Sequence, residues 1–544
     1  MNRFAALLDS LAYEPGRNAK LRLLGAYFAA TPDPDRGYAL AAMTGALTFA
    51  NARPALLRML IGERVDPTLF ALSYDFVGDL AETIALLWPA QTAQAQVPRL
   101  GAIVETLATI GKLDLPRQLT AWLDGLDETG RWALLKLITG ALRIGVSARL
   151  AKTAVASLGA LAPDDIEEVW HGLAPPYAAL FAFAQGQGPR PAGDNPAPFR
   201  TPMLAQALDE AQLAALAPAD FTAEWKWDGI RVQAVIGAGA DGLRVTRLYA
   251  RSGDDITKAF PDLAEALDQP ELAGCALDGE LLILRDDAVQ SFNDLQQRLN
   301  RKSVTARLIA DYPAHMRAYD ILTHEGEDLR PLPLRQRRTR LERCVRTAAS
   351  PRLDLSPQIA FATWEELARA RENPAGAGAA RDAAAIEGVM LKRADSPYLP
   401  GRPAGQWFKW KRDPFNIDAV LMYAQRGHGK RSSFYSDFTF GVWRAGAEGE
   451  ELAPVGKAYF GFTDEELKQL DKFVRDNTTG RFGPVRAVTP SLVLEIAFEG
   501  LARSTRHKSG VAMRFPRIAR IRWDKSAGEA DRLDTLEALL PAPR

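Results

Sequence analysis

"AEWKWDGIRVQAVI", residues 223–236, puts a lysine between two tryptophans just ahead of an Asp-Gly pair. Side chains alternate faces along a strand, so Glu224, Lys226 and Asp228 share one face and Trp225 and Trp227 the other. The tryptophans anchor the strand in a core while the charged trio faces a cleft. Asp228-Gly229 reads as the turn of a β-hairpin. The stretch also has an ordinary reading, an edge strand with a solvated lysine. Against that, Lys-x-Asp-Gly-x-Arg fixes four positions, and chance supplies it in roughly one chain of this length in a few hundred. A lysine amine attacks phosphorus only when deprotonated, and desolvation or neighbouring cations lower its pKa. Arg231 and a bound divalent cation are the expected neighbours.

Working outward, 544 residues exceed one ordinary domain. An apolar share of 47% suffices for several cores. The first 183 residues are helical in pattern: Phe4, Leu7, Leu8 and Leu11 recur at helical spacing, as do Trp132, Leu135, Leu137 and Leu142. "AQGQGPRPAGDNPAPFRTP" (184–202) is a Gly/Pro-rich linker. Residues 203–412 alternate strands, turns and short helices, an α+β pattern. From 413 onward "DAVLMYAQ", "DFTFGVW" and "SLVLEIAF" are short strands between turns, which suggests a small β-barrel. The expected fold class is thus multidomain: an all-α domain, an α+β domain and a β-barrel of the OB type.

Lys+Arg and Asp+Glu both number 67, so no uniformly basic coat exists. Local basic clusters do. Residues 500–525 hold eight Lys/Arg against one Asp, and "AQRGHGKRSS" (424–433) adds Arg426, Lys430 and Arg431. Cys275 and Cys344 lie far apart in no CxxC pattern, which argues against a disulfide framework and against structural zinc held by thiolates. No secretory signal and no run of roughly 18 apolar residues appears, and the chain is expected to be cytoplasmic and nucleoid-associated. In "TGALRIGVSARLAKTAVA" (139–156), Arg143 precedes a break at Gly145 and Ser147 is placed to cap the next helix.

"KWDGIR" resembles the first motif of the covalent nucleotidyltransferases, the superfamily of ATP-dependent DNA ligases, RNA ligases and capping enzymes. Further motifs follow in order. "YARSGDDIT" (249–257) resembles the segment that carries a nucleotide-contacting arginine, here Arg251. "LDGELL" (277–282) supplies Glu280, "RAYDIL" (317–322) supplies Tyr319 and "EGVMLK" (387–392) supplies Glu387 and Lys392. "WFKWKRD" (407–413) supplies Lys409 and Lys411, and "RFPRIARIRWDK" (514–525) supplies Arg514 and Arg517. The resemblance implies that Lys226 is the nucleophile. It makes Glu224, Arg231, Arg251, Glu280, Tyr319, Lys392, Arg402, Lys409, Lys411, Arg514 and Arg517 nucleotide contacts, with Tyr319 stacking on adenine. Glu280 and Glu387 would hold Mg²⁺. Arg143, Arg426, Lys430 and Arg431 would contact DNA.

The helical N-terminal region, with "PFRTPMLAQ" (198–206), "SFNDLQQRLNRK" (291–302), "DILTHEGEDLRPLPLRQRRTRLE" (320–342) and "EGLARSTRHKSGVAMRFPRI" (499–518), resembles the bacterial type of ATP-dependent DNA ligase with a helical DNA-binding domain. That implies ATP and Mg²⁺ as cofactors, nicked double-stranded DNA as partner, and a monomer. It divides the chain into a helical DNA-binding domain (1–183), a linker (184–202), an adenylation domain (203–412) and an OB-fold domain (413–544). RNA ligases and capping guanylyltransferases remain the nearest alternatives, separated by nucleotide and by substrate strand. A non-catalytic binding protein would be expected to have lost Lys226, Glu280 or Glu387.

Overall fold

The computed structural model describes residues 1–89, 97–140, 142–191, 195–239, 241–299, 301, 304–427, 434–446, 449–505 and 507–540. Lys430 and Arg431 lie outside the described residues. The chain divides into two compact units, one of Met1–Leu161, Ala174–Gly188 and Asp413–Arg544, the other of Ala162–Leu173 and Pro189–Arg412. Among the described residues no helix is long and apolar enough to cross a membrane.

In the first unit, residues 1–161 form successive helices that start and stop where local chemistry dictates. The side chains of Asp66, Asp79, Asp127 and Ser147 accept the backbone N–H of Leu69, Glu82, Gly130 and Leu150, groups that a helix start leaves without partners. Gly78 and Gly140 end two of these helices in the left-handed conformation. Phe4, Leu7, Leu8 and Leu11 are all buried, one face of the helix Asn2–Tyr13.

The second unit contains two sheets. Its strands are β1 (Gln206–Ala207), β2 (Phe221–Trp227), β3 (Ile230–Ala238), β4 (Arg244–Ala250), β5 (Cys275–Arg285), β6 (Ala288–Val289), β7 (Ala314–His324), β8 (Glu327–Asp328), β9 (Leu353–Leu355), β10 (Gln358–Ile359), β11 (Ile386–Arg393) and β12 (Trp407–Lys411). One sheet runs β1-β12-β11-β2-β10. The other runs β4-β3-β5-β7-β8, with β6 on β5 and β9 on β7.

The hairpin expected at Asp228-Gly229 does not form. β2 pairs with β10 and β11, whereas β3 pairs with β4 and β5, so the turn passes the chain from one sheet to the other. Gly229 is needed for closeness: a Cβ there would stand 2.6 Å from the Leu281 carbonyl oxygen and 2.7 Å from Glu280 Cγ. Trp225 and Trp227 are buried in a core with Phe221, Val389, Leu391 and Trp410. Burying a large apolar side chain of this kind contributes roughly 2–3 kcal/mol. The strand is therefore held from its apolar face, while on its polar face Glu224 is buried and Lys226 stays partly exposed.

Residues 195–203 carry no helix and only a single bridge (Met203), yet Ala197, Phe199, Thr201 and Met203 are buried. Gln233 fastens the segment, accepting from the Arg200 N–H at 2.6 Å and donating to its carbonyl at 2.9 Å. The alanine-rich stretch 375–385 is a run of irregular helical turns.

The C-terminal strands of the first unit are β13 (Phe415–Arg426), β14 (Tyr435–Gly446), β15 (Gly449–Ala458), β16 (Thr478–Phe482), β17 (Val485–Val488), β18 (Val493–Phe498), β19 (Gly500–Arg503), β20 (Val511–Arg514) and β21 (Arg517–Arg522). β15-β14-β13-β17-β16 form one antiparallel path, with β18 bridging β13 and β21. The helix Asp464–Asp476 follows β15 and starts with a capping box between Thr463 and Glu466. Phe438, Phe440, Leu470, Leu494 and Ile496 fill the core beneath it.

Candidate active site

β2 carries Lys226 to the edge of a cluster built by β11, β12 and β5. Its partner on β11 is set by a bulge. Trp227 pairs with Ile386 and Lys226 with Gly388, so Glu387 is the extra residue. Gly388 has φ 150°, and a Cβ on it would meet the Trp410 carbonyl and stand 2.7 Å from Lys411 Cα. Only glycine fits, and the bulge it allows brings Glu387 Oε2 to 2.6 Å from Lys226 Nζ and 3.7 Å from Lys411 Nζ. Gly388→Ala is expected to cost roughly 3 kcal/mol of stability through strain and overpacking. Misplacing Glu387 should also cut reaction at Lys226 by about 100-fold. Thermal unfolding together with the rate of covalent reaction at Lys226 would check both.

Burial works against the Lys226 charge, but Glu387, Glu280 and Asp228 outweigh it, and the amine pKa is raised. This differs from the lowered pKa expected of a nucleophile. Arg231, the cation expected to lower it, is bound instead to Asp278 at 2.6 and 3.0 Å, to the Met203 carbonyl at 2.6 Å and to the Tyr398 hydroxyl at 3.0 Å.

Lys409 lies on the face of β12 that it shares with Lys411. Its pKa is lowered by burial and by the charges of Lys411, Lys226, Arg402 and Arg251. Five cations from four segments thus converge, an arrangement suited to a polyanion. Within it Glu280, on β5 opposite Arg231, has its carboxyl pKa pushed up to about 8. Burial is the main cause, reinforced by Glu387 and Asp278 and opposed by Lys226 and Arg231.

The sign of the consequence follows. Glu280 ordinarily titrates at 4.5, so the folded chain holds its proton up to about 8. That contribution to stability is complete below 4.5 and is lost as pH rises to about 8, at up to roughly 1.4 kcal/mol per pH unit. Glu280→Gln should flatten this slope, measured as melting temperature against pH in the absence of ligands.

A second layer adjoins the cations. Glu224 is buried, 3.0 Å from Lys392 Nζ and 3.6 Å from Arg338. Lys392 is also buried and lies 4.1 Å from the centre of the Tyr319 ring and 4.8 Å from that of Trp407. Its charge is held by Glu224 and by these π-faces. Tyr319 is half-buried, with its hydroxyl pKa raised by burial. Asp278, Tyr398, Arg337 with Asp320, and Arg338 support this layer, and none was singled out from sequence. The available signals were Asp278 near Glu280 in "LDGELL" and Asp320 beside Tyr319 in "RAYDIL".

The remaining residues named from sequence lie on the first unit. Arg514 and Arg517 are on β20 and β21, Arg517 being 4.0 Å from Glu499. Arg426 ends β13 beside the Tyr435 ring, 5.7 Å from its centre. Arg143, largely exposed, has φ 51° and approaches Asp79 at 3.9 Å. Ser147 caps its helix as expected.

Residues 202–411 match the family profile described as ATP dependent DNA ligase domain, and 431–525 the one described as ATP dependent DNA ligase C terminal region. A DNA ligase of Archaeoglobus fulgidus is 31% identical over 409 residues, covering 75% of this chain and 70% of that protein. A probable DNA ligase of an Anaeromyxobacter species is 34% identical over 471 residues, covering 82% and 85%. Against a probable DNA ligase of Koribacter versatilis, 36% identical, the match covers only 59% of the relative's length. The solved structure called "Pmar-Lig_Pre" superposes on 96% of this chain and 99% of its own, with TM-score 0.57 and 14% identity, a likeness of fold alone.

Proposed function

Because the chain belongs to the ATP-dependent DNA ligase family, we propose that it seals nicks in duplex DNA through a covalent adenylate on Lys226. The carrying observation is the lysine held by Glu387 at 2.6 Å beside the cations grouped around Lys409. Neutral Lys226 Nζ attacks the α-phosphorus of ATP, a P–N bond forms, and pyrophosphate leaves. The 5′-phosphate of the nick then takes the AMP from the lysine, and the 3′-hydroxyl displaces AMP as the phosphodiester forms.

Lys409, Lys411, Arg402 and Arg251 offset the charge of the phosphates. Tyr319 offers a π-face to the base. Arg231 is fixed by Asp278 and orients the strand end beyond the Asp-Gly turn. Glu280 and Glu387 fit a hard divalent cation: they are carboxylates near one another, and the half-buried Glu280, whose pKa is raised, is the group that such a charge would ionise. Mg²⁺ bound there would balance phosphate charge and, by engaging Glu387, favour the neutral amine of Lys226. Glu387, Glu280 and Asp228 by themselves favour the protonated amine of Lys226.

The division into a helical DNA-binding domain (1–183), a linker (184–202), an adenylation domain (203–412) and an OB-fold domain (413–544) belongs to the same reading. Arg514 and Arg517 serve the nucleotide, while Arg143, Arg426, Lys430 and Arg431 contact DNA phosphates. The enzyme acts as a cytoplasmic monomer in replication, repair or recombination.

The test uses ATP labelled at the α-phosphate, after pyrophosphate has discharged any adenylate already present. Label should remain on the denatured polypeptide with ATP and not with GTP, and should pass to AMP as nicked DNA is sealed. Transfer to nicked RNA in preference to DNA would make it an RNA ligase. No label on the discharged protein would refute the adenylate.

A further inference from the structure

Cys275 opens β5, His324 closes β7, and Cys344 sits in the helix Leu334–Ala348. The two cysteines are 69 positions apart, yet their sulfurs lie 3.7 Å from one another. One ligand atom from each of the three residues falls within 4.8 Å of the others. β5 and β7 run antiparallel, with Ala276 opposite Thr323, so Cys275 and His324 are one step further along the same pair of strands. The sulfurs are buried, Cys275 1% and Cys344 2% exposed, while His324 is half-buried and reaches solvent.

The distances match a known requirement. Ligand atoms about 2.3 Å from a tetrahedral ion stand about 3.8 Å apart, close to the separation of these two sulfurs. A disulfide would need about 2.05 Å, and both cysteines are free. The His324 ligand atom lies within 4.8 Å of the sulfurs, wider than a bound geometry, so a side-chain rotation must close it onto the ion. Two thiolates and one imidazole form a soft donor set, unlike the carboxylates near Lys226, and they leave the fourth position to a water on the His324 side.

We propose that Cys275, Cys344 and His324 bind a zinc ion, a site separate from the adenylation centre. Cys275 and Cys344 are too far apart in sequence to show a metal-binding spacing, and the fold brings their sulfurs together. The ion would tie three elements that carry the nucleotide pocket. β5 bears Asp278 and Glu280, and β7 bears Tyr319 and Asp320. The helix bears Arg337 and Arg338, which hold Asp320 and Glu224. It acts as a clip at the far end of these elements, not on the chemistry.

The experiment is cobalt titration of the full chain, purified under reducing conditions and stripped with chelator. Thiolate-to-cobalt charge transfer, with the visible bands of tetrahedral Co²⁺, should saturate at one ion per chain and be displaced by Zn²⁺. An ion at Glu280 and Glu387 has only oxygen ligands and cannot give that band, so the two sites are distinguished. Cys344→Ser should remove the charge-transfer intensity or halve it. His324→Asn, a change at a partly exposed position, should weaken binding at least tenfold while the protein stays folded. Absence of the band in reduced wild-type protein would overturn the proposal, as would an equal band in Cys275→Ser/Cys344→Ser; the pair would then be two thiols in contact.

Discussion

Lys226→Arg should be as inactive in forming the adenylate as Lys226→Ala, a loss on the order of 10⁵-fold or more. The pairing of the two variants separates charge from nucleophilicity. Arginine keeps a cation within reach of Glu387, now held by Lys226 at 2.6 Å. Its guanidinium does not deprotonate near neutral pH, so no lone pair becomes available for attack. Alanine removes both, leaving Glu387 to Lys411 at 3.7 Å. Single-turnover labelling by ATP would measure the loss, and melting temperature would show that the arginine variant is folded. Arg activity within tenfold of wild type would place the nucleophile elsewhere.

Asp278→Ala should be the most damaging change outside the reacting atoms. Asp278 is 1% exposed and holds Arg231 through two hydrogen bonds while accepting from the Tyr398 hydroxyl at 2.7 Å. Removing it leaves the half-buried Arg231 guanidinium with the Met203 carbonyl and the Tyr398 hydroxyl but without its counter-charge. Breaking one side of a buried ion pair costs about 3–5 kcal/mol, which in a unit of this size lowers the melting temperature by roughly 10 °C. Adenylation should fall with it, since Arg231 is two residues past the Asp228-Gly229 turn that Lys226 precedes. Asp278→Asn retains the acceptor oxygen and should recover part of the stability. A melting temperature unchanged in Asp278→Ala would show that the pair contributes nothing net.

Much of the site was legible because its chemistry is carried by short motifs on individual strands. Lys226, Lys409 and Lys411 each lie in a stretch whose two-residue alternation assigns a polar and an apolar face, whereas Glu387 owes its position to the bulge before Gly388, which alternation does not reveal. The helix caps were similarly readable: Ser147 hydrogen-bonds three residues away, well within local sequence. What failed was pairing. Asp228-Gly229 has the composition of a hairpin turn, but β2 finds its partners at residues 358–359 and 386–393, and β3 finds its own at 244–250 and 275–281.

Sequence alone therefore determined the order of the elements, the faces of the strands and the identity of the charged residues that meet near Lys226. Tertiary structure decided their charge states and their supports. Lys226 is held protonated and Glu280 keeps its proton up to about 8, because both pKa values depend on burial and on charges contributed by other strands, and Lys392 meets Glu224 only where β11 pairs with β2. Asp278 with Tyr398, and Cys275 with Cys344, belong to the same class. Neighbours 120 and 69 positions apart leave no local pattern, and only the packing of strand on strand and helix on sheet brings them into contact.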